Sequence, residues 1–214
     1  QFAFHDAAEF LGRAVELVGR SVPADKGRRC GLMFDHAQAQ LRAGNVSGGR
    51  RVCLDGVELA RQLENSELLA RAALIYGAVF VYAEVDSTLV DLLREALAAL
   101  PEGDGAMRAR LQARLASALQ PSEHPEAAFQ IAREAIAMAR RVGDRGALLD
   151  AIRSGCSALM DLAEPAERLA LNREHVALAE ELGQPYDAFR GHMRSVIDAI
   201  ELGDFEASEA AMLA

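Results

Sequence analysis

Residues Pro125–Asp144 read PEAAFQIAREAIAMARRVGD and contain the pattern that decides the fold. Small apolar residues recur along it at i, i+4, i+7 and i+11, at Ala128, Ala132, Ala135 and Ala139. Proline is tolerated in the first turn of a helix, and glycine is favoured just after its end. The stretch therefore predicts a helix over Pro125–Val142, closed by Gly143, whose small-residue face lets a second helix approach closely.

The same kind of stop signal recurs along the chain. The triplets are Leu63-Glu64-Asn65, Glu102-Gly103-Asp104, Val142-Gly143-Asp144 and Leu182-Gly183-Gln184. Their middle residues lie at 64, 103, 143 and 183, so the spacings are 39, 40 and 40. A second series of breaks lies between them, at Gly44-Asn45, Glu84-Val85-Asp86, Pro121-Ser122-Glu123, Glu164-Pro165 and Gly203-Asp204. Two breaks in each ~40-residue period predict two helices per unit, the pattern of an α-solenoid built from helical hairpins.

We therefore predict an all-α fold, a right-handed α-solenoid of about five helical hairpins containing about eleven helices. The chain is taken as a single domain, 1–214, with approximate units 1–24, 25–64, 65–103, 104–143, 144–183 and 184–214. The stretch Pro165–Leu182 repeats the first helix design. Its predicted apolar stripe is Leu169, Ala170, Val176, Ala177 and Leu178.

Composition and charge exclude several classes of protein. The net charge of -9 argues against direct nucleic-acid binding, which needs a basic surface. The longest uncharged stretch, Ala72–Ala83, is about half the length of a membrane span, so no membrane contact is expected. Three widely spaced cysteines, Cys30, Cys53 and Cys156, are typical of buried thiols in a reducing compartment. We expect a cytoplasmic protein.

The sequence offers no convincing catalytic, metal or cofactor motif. Gly44–Arg51, GNVSGGRR, approaches a phosphate-loop spacing, but Arg50 and Arg51 replace the lysine and the hydroxyl residue. A helix rather than a strand precedes it, so a hairpin turn is the preferred interpretation. The five histidines lack metal-ligand spacing, and adjacent acids such as Glu180-Glu181 diverge on a helix. We predict a non-catalytic segment without a cofactor.

The repeat unit resembles the tetratricopeptide repeat, in a longer ~40-residue form. In that family a turn is followed by a small residue at a helix crossing, then a large apolar residue and another small one. Here Gly44-Asn45 is followed by Gly49, Cys53 and Gly56, and the first segment offers Ala7, Leu11 and Ala14. Glu64 departs from the pattern, because the other stop signals have a small residue at that place.

Three longer stretches of the sequence carry a resemblance to a second family. They are LRAGNVSGGRRVCLDGVELARQL (41–63), LLREALAALPEGDGAMRARLQARLASAL (92–119) and AIAMARRVGDRGALLDAI (135–152). These look like the helical arm of large bacterial signal-transduction ATPases (STAND proteins), including the maltose-regulator-like activators with a LuxR-type helix-turn-helix. Other members carry a SARP-type DNA-binding domain, a nucleotide cyclase or a Ser/Thr kinase. The resemblance implies that the chain is an arm excised from a longer protein and that any ATP site lies in a neighbouring domain.

The binding surface is predicted from the solenoid, in which the first helix of each hairpin lines the concave side. The candidate residues are Gln38, Arg42, Tyr82, Arg110, Arg153, Arg190 and Arg194. Arginines in such a groove could hold an acidic peptide or a phosphate bidentately. The alternative is ordinary helix-surface charge with i, i+4 partners. A lysine clamp of the kind used by chaperone-binding repeats is excluded, because Lys26 is the only lysine.

Two functions stay open from the sequence. In the first, the arm is a sensor and scaffold that binds a protein, a peptide or a small effector and regulates a LuxR-type ATP-dependent transcription regulator. In the second, it is a protein-docking scaffold for a Ser/Thr kinase or nucleotide cyclase signalling protein. A small repressor's ligand-binding domain is disfavoured, because residues 1–30 lack a second recognition helix. Apolar surface at the ends of an excised arm is compatible with a dimer.

Overall fold

The structure, a computed structural model, describes residues 2–79, 84–123, 125–159 and 164–213. These residues form eleven α-helices, and no strand occurs within these ranges. The helices are α1 (Phe2–Ser21), α2 (Lys26–Arg42), α3 (Val46–Gln62), α4 (Ser66–Tyr76), α5 (Ser87–Ala99), α6 (Ala106–Ala118), α7 (Pro125–Val142), α8 (Arg145–Leu159), α9 (Pro165–Glu181), α10 (Pro185–Glu201) and α11 (Phe205–Leu213). The all-α, solenoid-like prediction and the predicted helix count are confirmed.

The predicted stop signals end one helix and start the next. After α2, Gly44 has a φ of +89°, and the Asn45 side chain accepts a hydrogen bond from the Gly48 amide at 3.1 Å. The Asn45 amide donates to the Gln40 carbonyl at 2.9 Å, as in a Schellman motif. A left-handed residue followed by an N-cap side chain thus satisfies the backbone on both sides of the turn. The same design follows α10, where Asp204 caps α11.

Helix α3 ends without a glycine. Glu64 has a φ of +49° and is the one non-glycine residue with positive φ in the described part of the chain. It occupies the place of Gly44, Gly143 and Gly183, and Asn65 then caps α4 through the Leu68 amide at 2.9 Å. The departure noted in the sequence is therefore a left-handed turn residue with a side chain, a conformation that costs energy for any residue but glycine.

The chain divides into two compact units. The first comprises 1–82 with 86–101 and contains α1–α5; the second comprises 83–85 with 102–214 and contains α6–α11. In the first unit, α1 packs on α2, and α2 packs on both α3 and α4. Its most deeply buried side chains include Cys30, Phe34, Cys53, Val57 and Leu93.

Glycines bring α2 and α3 into close contact. A Cβ added at Gly49 would lie 2.9 Å from the Ala37 carbonyl oxygen, and one at Gly56 would lie 2.5 Å from a ring carbon of Phe34. Side chains at these two positions would push the helices apart. Gly49 and Gly56 therefore occupy the small-residue places of the repeat, as the tetratricopeptide resemblance predicts.

In the second unit, α8 packs against both helices of the preceding hairpin, α6 and α7. The predicted alanine stripe of α7 is buried in the common core, at Ala128, Ala132, Ala135 and Ala139. For α9 the predicted stripe is partly wrong. Ala170 and Ala177 are exposed, whereas Arg168, Asn172 and His175 are buried. This polar face packs on α10, which supplies polar partners of its own.

Ion pairs join the second helices of successive hairpins at a constant spacing. Arg61 binds Glu95 with both ends of its guanidinium, at 2.8 and 2.6 Å, and Arg133 binds Glu167 in the same way at 2.8 Å. Each pair is separated by 34 residues. These guanidinium groups lower the pKa of Glu95 and of Glu167 through direct hydrogen bonds.

None of the described helices combines the length and the apolar character needed to cross a bilayer.

Candidate functional site

Three of the predicted binding residues belong to the first unit. Gln38 and Arg42 lie four residues apart on α2 and so share one face of it. The Arg42 guanidinium lies 5.6 Å from the ring centre of Phe4 on α1. The third residue, Tyr82, lies outside the described residues. No further polar contact of Gln38 or Arg42 is found within the described ranges.

The first helices of the second unit are linked by a chain of ion pairs. Arg110 on α6 lies 2.9 Å from the Asp150 carboxylate on α8, and Asp150 in turn lies 2.6 Å from Arg153. Arg153 extends the chain to Asp187 on α10, at 3.5 Å. The predicted residues Arg110 and Arg153 are thus brought together through one carboxylate, that of Asp150, which the sequence did not identify as a site residue.

Arg194 on α10 forms hydrogen bonds with α8, another of these first helices. Its guanidinium donates to the Arg153 carbonyl oxygen at 3.1 Å and to the Ser157 hydroxyl at 2.7 Å. These hydrogen bonds connect α10 to α8. Arg110, Arg153 and Arg194 therefore bind other groups of the protein and link α6, α8 and α10.

Arg190 differs from these three arginines. Within the described part of the chain its guanidinium has no carboxylate partner, and it lies 5.9 Å from the ring centre of Tyr186, one turn earlier on α10. The Tyr186 ring is 70% exposed. The half-buried Arg190 and the exposed Tyr186 thus place a cation beside an aromatic ring on α10.

A buried polar seam joins α9 to α10. It consists of Arg168, Asn172 and His175 on α9 and Asp187, Ser195 and Asp198 on α10. Arg168 and Asn172 both donate to the Asp198 carboxylate, at 2.8 and 2.7 Å. The residues on α9 follow an i, i+4, i+7 spacing, so they form one stripe of the helix.

At the other end of the seam, both ring nitrogens of His175 are buried and lack a hydrogen-bond partner among the described residues. The Oδ1 atom of Asp187 lies 3.9 Å from Nε2 of His175, beyond hydrogen-bond distance, and 3.5 Å from the Arg153 guanidinium. Burial of the imidazole lowers the pKa of His175 to about 4, although the nearby Asp187 carboxylate opposes that shift. The helices cross closely here, because a Cβ at Gly191 would lie 2.6 Å from a methyl carbon of Val176. His175 is therefore a neutral, buried packing residue at neutral pH.

A surface groove lies on the other side of α10. It has a volume of about 510 Å³ and runs between the end of α9, α10 and α11. Its lining is mostly apolar, with Phe189, Met193 and Met212 as the largest side chains. The acidic residue Glu180 lies at one end, 4.0 Å from His192. Sequence reasoning missed this groove, although the apolar spacing of Phe189, Met193 and Val196 on a first helix was a usable signal.

The thiols and metal-binding residue types support no chemistry in the described ranges. Burial raises the pKa of Cys30 to about 11 and the pKa values of Cys53 and Cys156 to about 12, so these thiols are poor nucleophiles at neutral pH. No group of three or more histidine, cysteine, aspartate or glutamate side chains is placed to hold a metal ion within these ranges.

Comparison with known proteins shows that the chain is similar in structure to two solved proteins, described below. No family model matches the chain, and no curated protein matches it. It is similar to BtubC (BKLC) from P. vanneervenii, with a TM-score of 0.70 and 15% identity, over 98% of this chain and 88% of that one. It is also similar to a STAND protein with a tetratricopeptide repeat sensor from Pyrococcus horikoshii, with a TM-score of 0.67 and 13% identity. That likeness covers 97% of this chain and spans 32% of the STAND protein.

Proposed function

We propose that the chain is a non-catalytic, tetratricopeptide-like sensor or scaffold arm. It holds a protein, a peptide or a small effector on the first helices of its second unit. The observation that carries the proposal is the half-buried Arg190, which lies beside the exposed Tyr186 ring and has no carboxylate partner in the described part of the chain, whereas Arg110 and Arg153 are paired. An arginine without a carboxylate partner keeps its guanidinium donors for a carboxylate or phosphate group of a ligand.

We place this arm in a cytoplasmic, ATP-dependent regulator with a LuxR-type output. The likeness in fold to a STAND protein with a tetratricopeptide repeat sensor supports an arm of this kind. An effector would act by binding more tightly to one of two states of the whole regulator. The expected genetic observation is a nucleotide-binding domain encoded in the same reading frame.

A thermal-shift screen tests the proposal. The chain is heated with sugars, nucleotides, amino acids and phosphopeptides, and one class is expected to raise the melting temperature as its concentration rises. A ligand at about 100 times its Kd adds about 2.7 kcal/mol to the free energy of unfolding. Arg190→Ala should abolish the rise.

Arg173→Ala is the matched control, because Arg173 is an exposed arginine on α9 without an ion pair in the described part of the chain. It should keep the ligand response. A response that survives Arg190→Ala would place the ligand elsewhere and overturn the proposed site. If no compound gives a shift, a protein-docking scaffold is favoured over a sensor of small effectors.

A further inference from the structure

Helices α7 and α8 meet through small apolar residues. The alanines and the glycine buried on them are Ala128, Ala132, Ala135, Ala139, Ala147, Ala151, Gly155 and Ala158. A Cβ added at Gly155 would lie 2.8 Å from a side-chain carbon of Ile136 and 3.8 Å from the Cβ of Ala132, so the two helices cross closely. This junction is apolar, as the repeat pattern predicts.

The next junction, between α9 and α10, has polar residues at the same places. The corresponding pairs, each 40 residues apart, are Ala128 and Arg168, Ala132 and Asn172, Ala135 and His175, Ala147 and Asp187, Gly155 and Ser195, and Ala158 and Asp198. The second member of every pair is buried and belongs to the polar seam described above. The seam is therefore a change made at one junction of the repeat.

The hydrophobic core of the second unit extends little beyond this seam. Its buried members belong to α6, α7, α8 and α9, and among the described residues of α10 only the half-buried Ala188 packs against them. The contacts of α10 with α8 are polar as well, because Arg194 donates to the Arg153 carbonyl oxygen and to the Ser157 hydroxyl. Hydrogen bonds and ion pairs thus supply much of the attachment of α10 to α9 and α8.

A buried polar junction favours the closed state less than an apolar junction does. The attraction within a buried ion pair is offset by the lost hydration of its charges, so apolar residues of similar volume often stabilise a protein more. In the described part of the chain, the seam also buries Oδ1 of Asn172, both ring nitrogens of His175 and Oγ of Ser195 without a hydrogen-bond partner. These atoms bind water when the helices separate, which favours separation.

We propose that the α9–α10 junction is a hinge, at which the chain from α10 onward separates from α9 while α6–α9 stay folded. In a solenoid each repeat contacts its neighbours alone, so the junction with the weakest interface opens first. Helix α11 packs on α10 and moves with it. The hinge goes beyond the proposed function, because it needs no ligand at Arg190.

Amide hydrogen exchange of the 214-residue chain tests the hinge. Amides of α10 should exchange through opening of the junction, at least about tenfold faster than those of α8, which should exchange when the whole unit unfolds. The triple variant Arg168→Met, Asn172→Leu and Asp198→Leu replaces the hydrogen-bonded end of the seam with apolar residues of similar volume. It should slow the exchange of α10 by about tenfold or more.

The matched control removes an ion pair that the hinge does not break. Arg133 on α7 and Glu167 on α9 form a largely exposed pair at 2.8 Å. The double variant Arg133→Met with Glu167→Leu makes the same kind of polar-to-apolar change there. It should leave the exchange of α10 nearly unchanged.

A second measurement uses the chain without substitutions. The charged groups that face His175 are Asp187, Arg190 and Arg194 on α10 and Arg153 on α8. Burial lowers the pKa of His175 to about 4 in the closed junction, against an ordinary value of 6.5 once the imidazole reaches water. Acid therefore favours the open state, and its population should rise by about 25-fold from pH 7.5 to pH 5. The protection of α10 amides, corrected for intrinsic exchange, measures this rise, and His175→Gln should remove most of it.

Several results would overturn the hinge. Amides of α10 that are as well protected as those of α8 would show that the junction does not open by itself. Exchange of α10 that is fast but insensitive to pH would show that the helix frays while the seam stays closed. A triple variant that exchanges faster at α10 would show that the polar seam holds the junction more firmly than apolar contacts. If the triple variant does not fold, the pH dependence of the unsubstituted chain and of His175→Gln decides.

Discussion

Arg168 donates from Nε to Oδ1 of Asp198 at 2.8 Å, and both side chains are only 6% exposed. The other carboxylate oxygen of Asp198 accepts a hydrogen bond from Asn172 at 2.7 Å. One buried carboxylate on α10 therefore holds two polar side chains of α9. Glu201 binds the outer end of the Arg168 guanidinium from a position that is 45% exposed.

Removal of the buried carboxylate should be costly. Asp198→Ala takes the acceptor from Arg168 and Asn172, and breaking a buried pair in this way costs about 3–5 kcal/mol. Glu201→Ala is the matched change at the exposed end of the same guanidinium, where a salt bridge contributes at most about 1 kcal/mol. Urea unfolding followed by circular dichroism measures both. Equal losses in the two variants would contradict the assignment of the seam to the interior.

The buried polar seam between α9 and α10 is a part of the fold that could not be predicted from the sequence. On α7 the apolar spacing identified the buried face, because apolar side chains recur at Ala128, Ala132, Ala135 and Ala139 while charged ones lie off that stripe. On α9 the residues Arg168, Asn172 and His175 have the same helical spacing but belong to types that are usually exposed. Their burial depends on Asp198 and Asp187, which belong to the next helix. A pattern within one helix cannot supply that information.

The second prediction concerns pH. Burial lowers the pKa of His175 to about 4, against an ordinary value of 6.5. Between these two values the unfolded chain takes up a proton that the folded chain does not, so the free energy of unfolding falls as pH is lowered through this range. From pH 7.5 to pH 5 this one group should remove about 2 kcal/mol of stability.

Urea unfolding of the chain and of His175→Gln at both pH values measures this contribution. The variant should lose most of the pH dependence in that range. His36→Gln is the control: burial lowers the pKa of His36 as well, but its side chain is only partly buried, so it should account for the smaller part of the pH dependence. It should keep most of the dependence. A His175→Gln protein with the full slope would show that another group titrates.

The third prediction compares two glycines in helices of the first unit. Gly49→Ala places a Cβ against the Ala37 carbonyl oxygen and the Leu41 side chain, and should destabilise the fold by about 1–3 kcal/mol. At Gly31 nothing lies within 4 Å of an added Cβ, so Gly31→Ala should stabilise α2 by about 0.5–1 kcal/mol. Thermal melts of the two variants should move in opposite directions. Shifts of the same sign would mean that α2 and α3 are further apart than described.

The residues of the candidate site could be predicted only in part from the sequence. Arg110, Arg153, Arg190 and Arg194 were selected because first helices line one side of a hairpin stack, and the structure places them along α6, α8 and α10. Which arginine stays free depends in part on carboxylates more than 30 residues away, such as Asp150 for Arg110. The groove beside α11 depends on the packing of three helices. Neither follows from the spacing within one repeat.

The last prediction concerns the turn between α3 and α4. Glu64 holds a φ of +49°, where a side chain costs about 1 kcal/mol relative to glycine. Its own side chain makes no hydrogen bond or ion pair within the described residues, so its removal loses little. Glu64→Gly should therefore raise the free energy of unfolding by about 1 kcal/mol, as measured by urea titration.

Two controls separate backbone strain from loss of the glutamate itself. Glu64→Ala keeps a Cβ at the same positive φ and should leave stability nearly unchanged. Gly143→Ala introduces a Cβ at a φ of +77° in the equivalent turn after α7, and should lower stability by about 1 kcal/mol. If Glu64→Ala stabilised the chain as much as Glu64→Gly, the gain would come from removing a carboxylate from a chain of net charge -9, and the turn would carry no strain.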